Sequence, residues 1–310
     1  MSAWGVRYRV WVLAAVVVLG VVAGIDARTQ SADKSLFVSV VDGNGKPVTD
    51  LTAAEFAIRE DNVMREVVAV KRATQPLYIQ ILADTTKQSG AVGMMSKNDT
   101  AGGASELIRD IRSSLTSLVK YVSEAAPEAQ MALMEFGQAA IPIVNFTNKA
   151  ADLEKGVTRL FPKPDAASVL LEAMISANKE LEKKPSPRKA IIVLNIEPGD
   201  EQSREQPKEI LESFRKSGAS LWAVSVQRGE LKNPTRDLIL NNLTKITGGR
   251  REFIVGQSAI ENWLKVFADA LLAQYELTYK RPDAKTPASQ VLVGITRQGL
   301  RTHANNFAPK

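Results

Sequence analysis

The chain has 310 residues, 45% hydrophobic and 24% charged, which is typical of globular proteins and excludes a chain that is disordered throughout. It has no cysteine, and its one histidine, His303, lies in the polar stretch RTHANNFAPK, which excludes thiol catalysis, cysteine zinc sites and histidine clusters. The net charge of +6 is spread along the chain without interleaved aromatic residues, so we expect no nucleic-acid partner.

Residues 1–32 have the pattern of an export segment. Arg7 and Arg9 precede an apolar run over residues 10–25, and the chain turns polar at Asp26. As a helix, this run would be about 24 Å long, slightly shorter than the hydrocarbon core of a bilayer. The pattern predicts an exported protein that is periplasmic, secreted or anchored in the inner membrane. It fits both a cleaved signal peptide and an uncleaved anchor.

Residues 33–74 alternate apolar and polar side chains at a period of two, interrupted by the turn sequences DGNG and EDN. This pattern predicts two or three short antiparallel strands. The stretch GNGK is not a phosphate loop, because Pro47 follows the lysine at the position where a Ser or Thr and a helix should begin.

Residues 75–273 show a different pattern of short, continuous apolar runs: LYIQILA, MALMEF, AIIVL, LWAVSV and REFIV. Such runs are typical of strands that are buried on both faces of a parallel sheet. Apolar stripes of helical spacing separate them, notably over residues 107–122 and 260–271. The alternation predicts an α/β fold with a doubly wound, mostly parallel sheet.

Residues 274–310 return to alternating strands in YELTYK and VLVGITRQG, followed by a polar tail. Two isolated strands cannot bury a core of their own. We therefore expect them to pair with residues 33–74, so that a small β domain built from both termini flanks the α/β domain.

The first buried run ends on an acid and several oxygen-bearing side chains, in the sequence LYIQILADTTKQSG. Asp84 is followed by two threonines, Lys87 and Gln88. Oxygen ligands at a strand's carboxyl end would suit a hard metal ion, but an ordinary turn uses the same residue types. The residues alone leave both interpretations open.

Several stretches carry a resemblance to a known family, in the order VSVVDGNGKPVTDLTAAEFAIREDN, ILADTT, RKAIIVL, TKITGGRREF and LLAQYELTYKRPD. The chain resembles the von Willebrand factor A-type (VWA) domain, specifically the VWFA-related family of acidobacterial type, over nearly everything after residue 33. The resemblance implies a metal-ion-dependent adhesion site at the carboxyl ends of the strands. Such a site holds Mg²⁺, Mn²⁺ or Ca²⁺ through an Asp-x-Ser-x-Ser loop, a Thr and a second Asp.

Carried over residue by residue, the first loop implies Asp84, Thr86 and Gln88 as ligands, with one hydroxyl lost at Gln88. The second loop implies Ser168 in place of the threonine. Ordinary caps or turns are the alternative roles of Asp84 and Ser168.

The third loop should carry an aspartate but reads Asn-Ile-Glu at positions 195–197. Ile196 cannot ligate a metal, and Glu197 is expected to reach inward only if the loop is rebuilt. Lys87 could supply part of the missing positive charge beside Asp84. The site is therefore expected to be degenerate, with weak or absent metal binding.

The resemblance implies a non-enzymatic module that binds another protein, whose identity the sequence does not indicate. One alternative is a structural envelope scaffold whose terminal β domain does the binding. Another is a nucleotide-dependent enzyme of Rossmann type, but neither G-x-G-x-x-G nor G-x-x-x-x-G-K-[ST] follows the first buried strand.

Overall fold

The computed structural model describes residues 32–86, 97–163, 167–197, 199, 201–227, 233–256, 258–281 and 288–309. Side chains between residues 97 and 105 are outside this description. The predicted export segment lies outside the described residues except for Ala32. In the part of the chain that is described, no helix combines the length and the apolar character needed to cross a membrane.

The strands, numbered in chain order, are β1 (Ala32–Val41), β2 (Phe56–Glu60), β3 (Val63–Arg65), β4 (Val67–Arg72), β5 (Tyr78–Asp84), β6 (Gln130–Phe136), β7 (Ala140–Thr147), β8 (Lys189–Glu197), β9 (Ser220–Gln227), β10 (Arg250–Ile254), β11 (Tyr275–Arg281), β12 (Val291–Ile295) and β13 (Arg301–Ala304). The helices are α1 (Lys97–Ala125), α2 (Ala150–Val157), α3 (Leu170–Glu182), α4 (Pro207–Ser217), α5 (Pro234–Ile246) and α6 (Ala259–Leu272), with a 3-10 turn at Ala53–Glu55.

The central sheet has six strands in the order β10-β9-β8-β5-β6-β7. Five of them are parallel, and they are the five apolar runs predicted from the sequence. Counted from β5, this is the doubly wound order 3-2-1-4-5-6, whose direction of winding reverses between β5 and β8. Crevices for ligands form at the carboxyl ends of the strands beside such a switch point.

Helices cover both faces of this sheet. Alternate strand residues point to opposite faces, so Ile79 and Ile81 pack with α1 and α6, whereas Tyr78 and Leu82 pack with α3, α4 and α5. Burial on both faces explains why these strands read as continuous apolar runs. The predicted fold class, a doubly wound α/β sheet flanked by a β unit, is confirmed.

The strands from the two ends of the chain pair with each other. In the sheet β13-β1-β11-β4, β1 runs antiparallel to β11 from Ala32 opposite Arg281 to Val38 opposite Tyr275. A smaller sheet has the order β12-β2-β3. Apolar residues of both sheets, among them Val38 and Ile58, form a separate core.

The segment predicted to hold two or three strands holds four, β1 to β4, because the turn EDN separates β2 from the short strand β3 and β4 follows at once. Two further strands lack a sequence signal that would predict them. β7 is the antiparallel edge of the central sheet, and its side chains are largely half-buried or exposed rather than patterned. β13 contains His303, which the sequence places in a polar tail, but in the structure it pairs with Ser39 of β1. Its ring lies against Trp222, and its Nδ1 is 3.0 Å from the carbonyl oxygen of Gly249. These contacts are long-range and leave no local periodicity.

Candidate functional site at the carboxyl edge of the central sheet

Asp84 is the last residue of β5, and its side chain is completely buried at the switch point. Its Oδ1 accepts hydrogen bonds from the Thr86 main-chain nitrogen at 2.9 Å and from Thr86 Oγ1 at 2.6 Å. Its Oδ2 accepts a bond from the Ile196 nitrogen at 3.0 Å. The carboxylate therefore fixes the turn after β5 and joins it to β8.

A buried arginine lies beside this carboxylate. Arg236 has no exposed side-chain surface, and its Nη1 is 4.0 Å from Asp84 Oδ2. The same nitrogen donates a hydrogen bond to the Ile196 carbonyl oxygen at 3.2 Å. On its other side, Nε and Nη2 each lie 3.2 Å from Glu201 Oε2. We call Asp84, Glu201 and Arg236 the Arg236 cluster: one guanidinium between two carboxylates.

Burial is the main influence on the charge of Asp84. It raises the pKa of the Asp84 carboxyl, and the nearby Arg236 guanidinium and the hydrogen bonds from Thr86 and Ile196 oppose this rise. The Arg236 guanidinium is the largest of the influences that oppose the effect of burial.

The start of α5 positions Arg236. Asn233 caps the helix, because its side chain accepts a hydrogen bond from the Arg236 nitrogen at 3.0 Å, and Pro234 occupies the first turn. The Asn233 amide also donates to the Gly199 carbonyl oxygen at 2.9 Å. A Cβ at Gly199 would lie 2.1 Å from Arg236 Nη1, so the glycine leaves room for the guanidinium.

Arg236 is a site residue that was not predicted from the sequence. A signal was present: Arg236 shares a stripe with the buried Ile239, Leu240 and Leu243, at the spacing of the apolar face of a helix. A charged residue on such a stripe requires a buried partner.

Glu197 is the last residue of β8 and is buried on the same face of the sheet as Asp84. Its oxygens are already bonded. Oε1 accepts from Asn195 Nδ2 at 2.8 Å and from Arg251 Nη2 at 3.2 Å, and Oε2 accepts from the Asn233 nitrogen at 3.4 Å. Glu197 thus forms an ion pair with Arg251 from β10.

The other residues of the three predicted loops do not come together as a set of ligands. The Ile196 side chain packs in the core on the opposite face, with α1 and α6, so only its main chain reaches the site. Ser168 is buried just before α3, but the cap residue of that helix is Val169, and Ser168 Oγ has no hydrogen-bond partner among the described residues. Gln88 and Lys87 lie outside the described residues.

The residues present do not fit the divalent ion that the resemblance implies. The acids of the Arg236 cluster face a group that already carries a positive charge, and a second cation beside it would be repelled. Glu197 is held by Arg251. Within the described ranges, no group of three or more histidine, aspartate or glutamate side chains is arranged to hold a metal ion. Weak or absent metal binding stays a prediction, for which Arg236 supplies a physical reason.

No protein-family model matches the sequence, and no curated protein matches it. Among solved structures, proximal thread matrix protein 1 from the mussel byssus is similar at 14% identity and a TM-score of 0.49, covering 66% of this chain and 50% of that chain. One structure of the mussel protein has zinc in its metal-ion-dependent adhesion site (MIDAS) motif. This chain spans about half the length of that protein.

Two bacterial structures are also similar. The von Willebrand factor type A protein from Catenulispora acidiphila has 11% identity and a TM-score of 0.48, covering 91% of this chain and 74% of that one. The PilB minor pilin from Streptococcus sanguinis has 12% identity and a TM-score of 0.48, covering 65% and 62%. The chain itself has a doubly wound, mostly parallel sheet with an antiparallel edge strand, the fold class that its sequence predicts.

Proposed function

We propose that the chain is an exported, non-enzymatic module that binds a protein partner over the carboxyl edge of its central sheet. The observation that carries the proposal is a set of large apolar side chains exposed along this edge, with 43% to 82% of their surface accessible: Ile141, Phe161, Leu238 and Val255. Exposed apolar residues near a polar rim are typical of protein-binding surfaces.

The topology places these residues at one edge. Val255 directly follows the end of β10, and Ile141 pairs with Glu135 near the end of β6. Phe161 lies two residues before Lys163, which bridges to Thr86 after β5. Leu238 lies near the start of α5, the helix that begins beside Asp84.

The buried state of the charged residues favours binding over catalysis. The side chains of Asp84, Glu197 and Arg236 have no exposed surface. Arg236 forms an ion pair with Asp84, and Glu197 forms one with Arg251, so a substrate would have to break internal ion pairs to reach these groups. The export part of the proposal is supported by Arg7, Arg9 and the apolar run after them.

Crosslinking in envelope extracts of the native cells tests the binding surface. The full chain carries an affinity tag, and the double variant Phe161→Ser/Val255→Ser is compared with the matched control Val63→Ser/Met64→Ser. The control residues are exposed by 52% and 58% but lie on β3 of the terminal sheets. We expect the first variant to lose a crosslinked partner that the control retains.

The reverse result would identify the terminal β unit as the binding surface and the α/β part as a scaffold. Failure of the unmodified chain to capture any specific partner, with or without Mg²⁺, would contradict the proposal. A clear thermal stabilisation by NAD, FAD or ATP would favour the nucleotide-dependent enzyme instead.

A further inference from the structure

We infer that Arg236 is a resident cation: its guanidinium takes the place of a divalent ion at the switch point, and its removal uncovers a site for such an ion. The inference concerns the same edge as the proposed binding surface. It does not depend on the identity of a partner, so its test can fail while the interaction proposal stands.

Oxygen atoms of three residues lie around the guanidinium. Asp84 Oδ2, the Ile196 carbonyl oxygen and Glu201 Oε2 lie 4.0, 3.2 and 3.2 Å from its nitrogens. Carboxylate and carbonyl oxygens are also the ligands that Mg²⁺ and Ca²⁺ prefer. The protein therefore surrounds a monovalent organic cation with the donor types of a hard metal site.

The place of the guanidinium is built into the fold. Asn233 caps α5 through the Arg236 nitrogen and also holds the Gly199 carbonyl, which fixes the helix start against the loop after β8. Gly199 has no side chain where a Cβ would overlap the guanidinium. Two elements far apart in the sequence thus leave one space, and Arg236 fills it.

A buried hydroxyl belongs to Ser168, which is bridged to Glu201 of the Arg236 cluster. Ser168 Oγ has no hydrogen-bond partner in the described part of the chain, although the residue is completely buried. Ser168 forms a β-bridge with Glu201, and its carbonyl oxygen accepts a hydrogen bond from the Gln202 nitrogen at 2.8 Å. A neutral residue at position 236 would leave two carboxylates, a carbonyl and a nearby free hydroxyl without a cation.

The inference predicts that the unmodified protein is indifferent to divalent ions at this edge. Its own cation cannot dissociate, so chelators would not open the site. The charge at position 236, rather than the size or the hydrogen bonds of the side chain, decides whether a metal ion can enter.

The test compares Arg236→Gln with Arg236→Lys in the full chain, purified in mild detergent. Both variants shorten the side chain and keep a donor, but only lysine keeps the charge. Thermal unfolding is recorded with EDTA and with about 5 mM MnCl₂. We expect Mn²⁺ to raise the melting temperature of the glutamine variant by about 3 °C and to leave the unmodified and lysine proteins unchanged.

Addition of Asp84→Asn to the glutamine variant should abolish the response, which assigns the ion to this site. An equal response in both single variants, or no response in a folded glutamine variant, would overturn the inference. If the glutamine variant does not fold, the test is whether the unmodified chain binds Mn²⁺, measured by water-proton relaxation. Binding that Asp84→Asn abolishes would overturn the inference, and the absence of such binding supports it.

Discussion

Arg236 Nη1 lies 4.0 Å from Asp84 Oδ2, and neither side chain has any exposed surface. This pair joins the end of β5 to the start of α5 across the switch point of the sheet. A carboxylate and a guanidinium are tolerated at this depth because each has further partners: Thr86 and Ile196 for the acid, and Glu201 for the base.

Asp84→Asn should destabilise the protein strongly. The amide NH₂ would face either the Thr86 N–H or both the Ile196 N–H and Arg236, donor against donor, and the substitution would remove one of the two acids that balance the guanidinium. Loss of one member of a buried pair lowers the free energy of unfolding by about 3 kcal/mol or more. Urea denaturation measures the change.

The matched control is Glu66→Gln, which breaks the exposed ion pair between Glu66 and Lys280 at 3.0 Å. We expect a change of less than about 0.5 kcal/mol there. Equal losses for the buried and exposed pairs would show that the Arg236 cluster contributes no special stability.

Gly199→Ala should also destabilise the protein, because the new Cβ would lie 2.1 Å from Arg236 Nη1 and 2.7 Å from its Cζ. The guanidinium or the loop must then shift, at an expected cost of about 2 kcal/mol. Gly43→Ala is the control, since no atom lies within 4 Å of a Cβ built there. If Gly199→Ala left the free energy of unfolding unchanged, Arg236 would have room to move away.

The single histidine should give the protein a pH-dependent stability. Burial lowers the pKa of His303, and Arg250 and Arg301 lower it further, while the hydrogen bond with Gly249 opposes the shift. The unfolded chain therefore binds the proton more readily, and the free energy of unfolding decreases as the pH falls below about 6.5. The slope for one proton is at most about 1.4 kcal/mol per pH unit.

Urea denaturation between about pH 5 and pH 8 measures this slope. His303→Gln removes the titrating group, so its stability should vary less over the same range even if its stability at pH 8 is lower. Identical slopes for the two proteins would contradict a half-buried histidine whose pKa is lowered in the folded state.

Arg188 should be important where the terminal strands meet the α/β domain. It donates to the carbonyl oxygens of Gln75 at 2.7 Å and Leu271 at 2.8 Å, and to Gln274 Oε1 at 3.1 Å. Burial and the nearby Arg72 lower the pKa of Arg188 to about 10, so it remains protonated at neutral pH.

Arg188→Met should lower the free energy of unfolding by about 3 kcal/mol, because several buried carbonyl oxygens lose their donor. Arg188→Lys should recover little, since an ammonium group cannot reach all of these acceptors at once. Arg109→Met, at a side chain that is 72% exposed, is the control with little expected effect. Chemical denaturation of the three variants measures their free energies of unfolding and tests this order of stability.

The sequence was sufficient for the layered architecture. Strands buried on both faces read as the runs LYIQILA, MALMEF, AIIVL, LWAVSV and REFIV, and the stripes over residues 107–122 and 260–271 lie in α1 and α6. These signals are local, because burial of a whole element leaves a periodic or continuous apolar pattern. β7 and β13 were missed because edge strands are half-exposed and have mixed polarity.

The position of Asp84 at the end of a buried strand could also be read from the sequence. What surrounds it could not, because Arg236 reaches the site only through the packing of α5 against β9 and β10. Likewise, the alternation along β8 directs Glu197 toward Arg251 and Ile196 into the opposite core. Local patterns determine where a strand ends, whereas the partners of a buried charge depend on contacts between residues distant in the chain, and only the tertiary structure decides them.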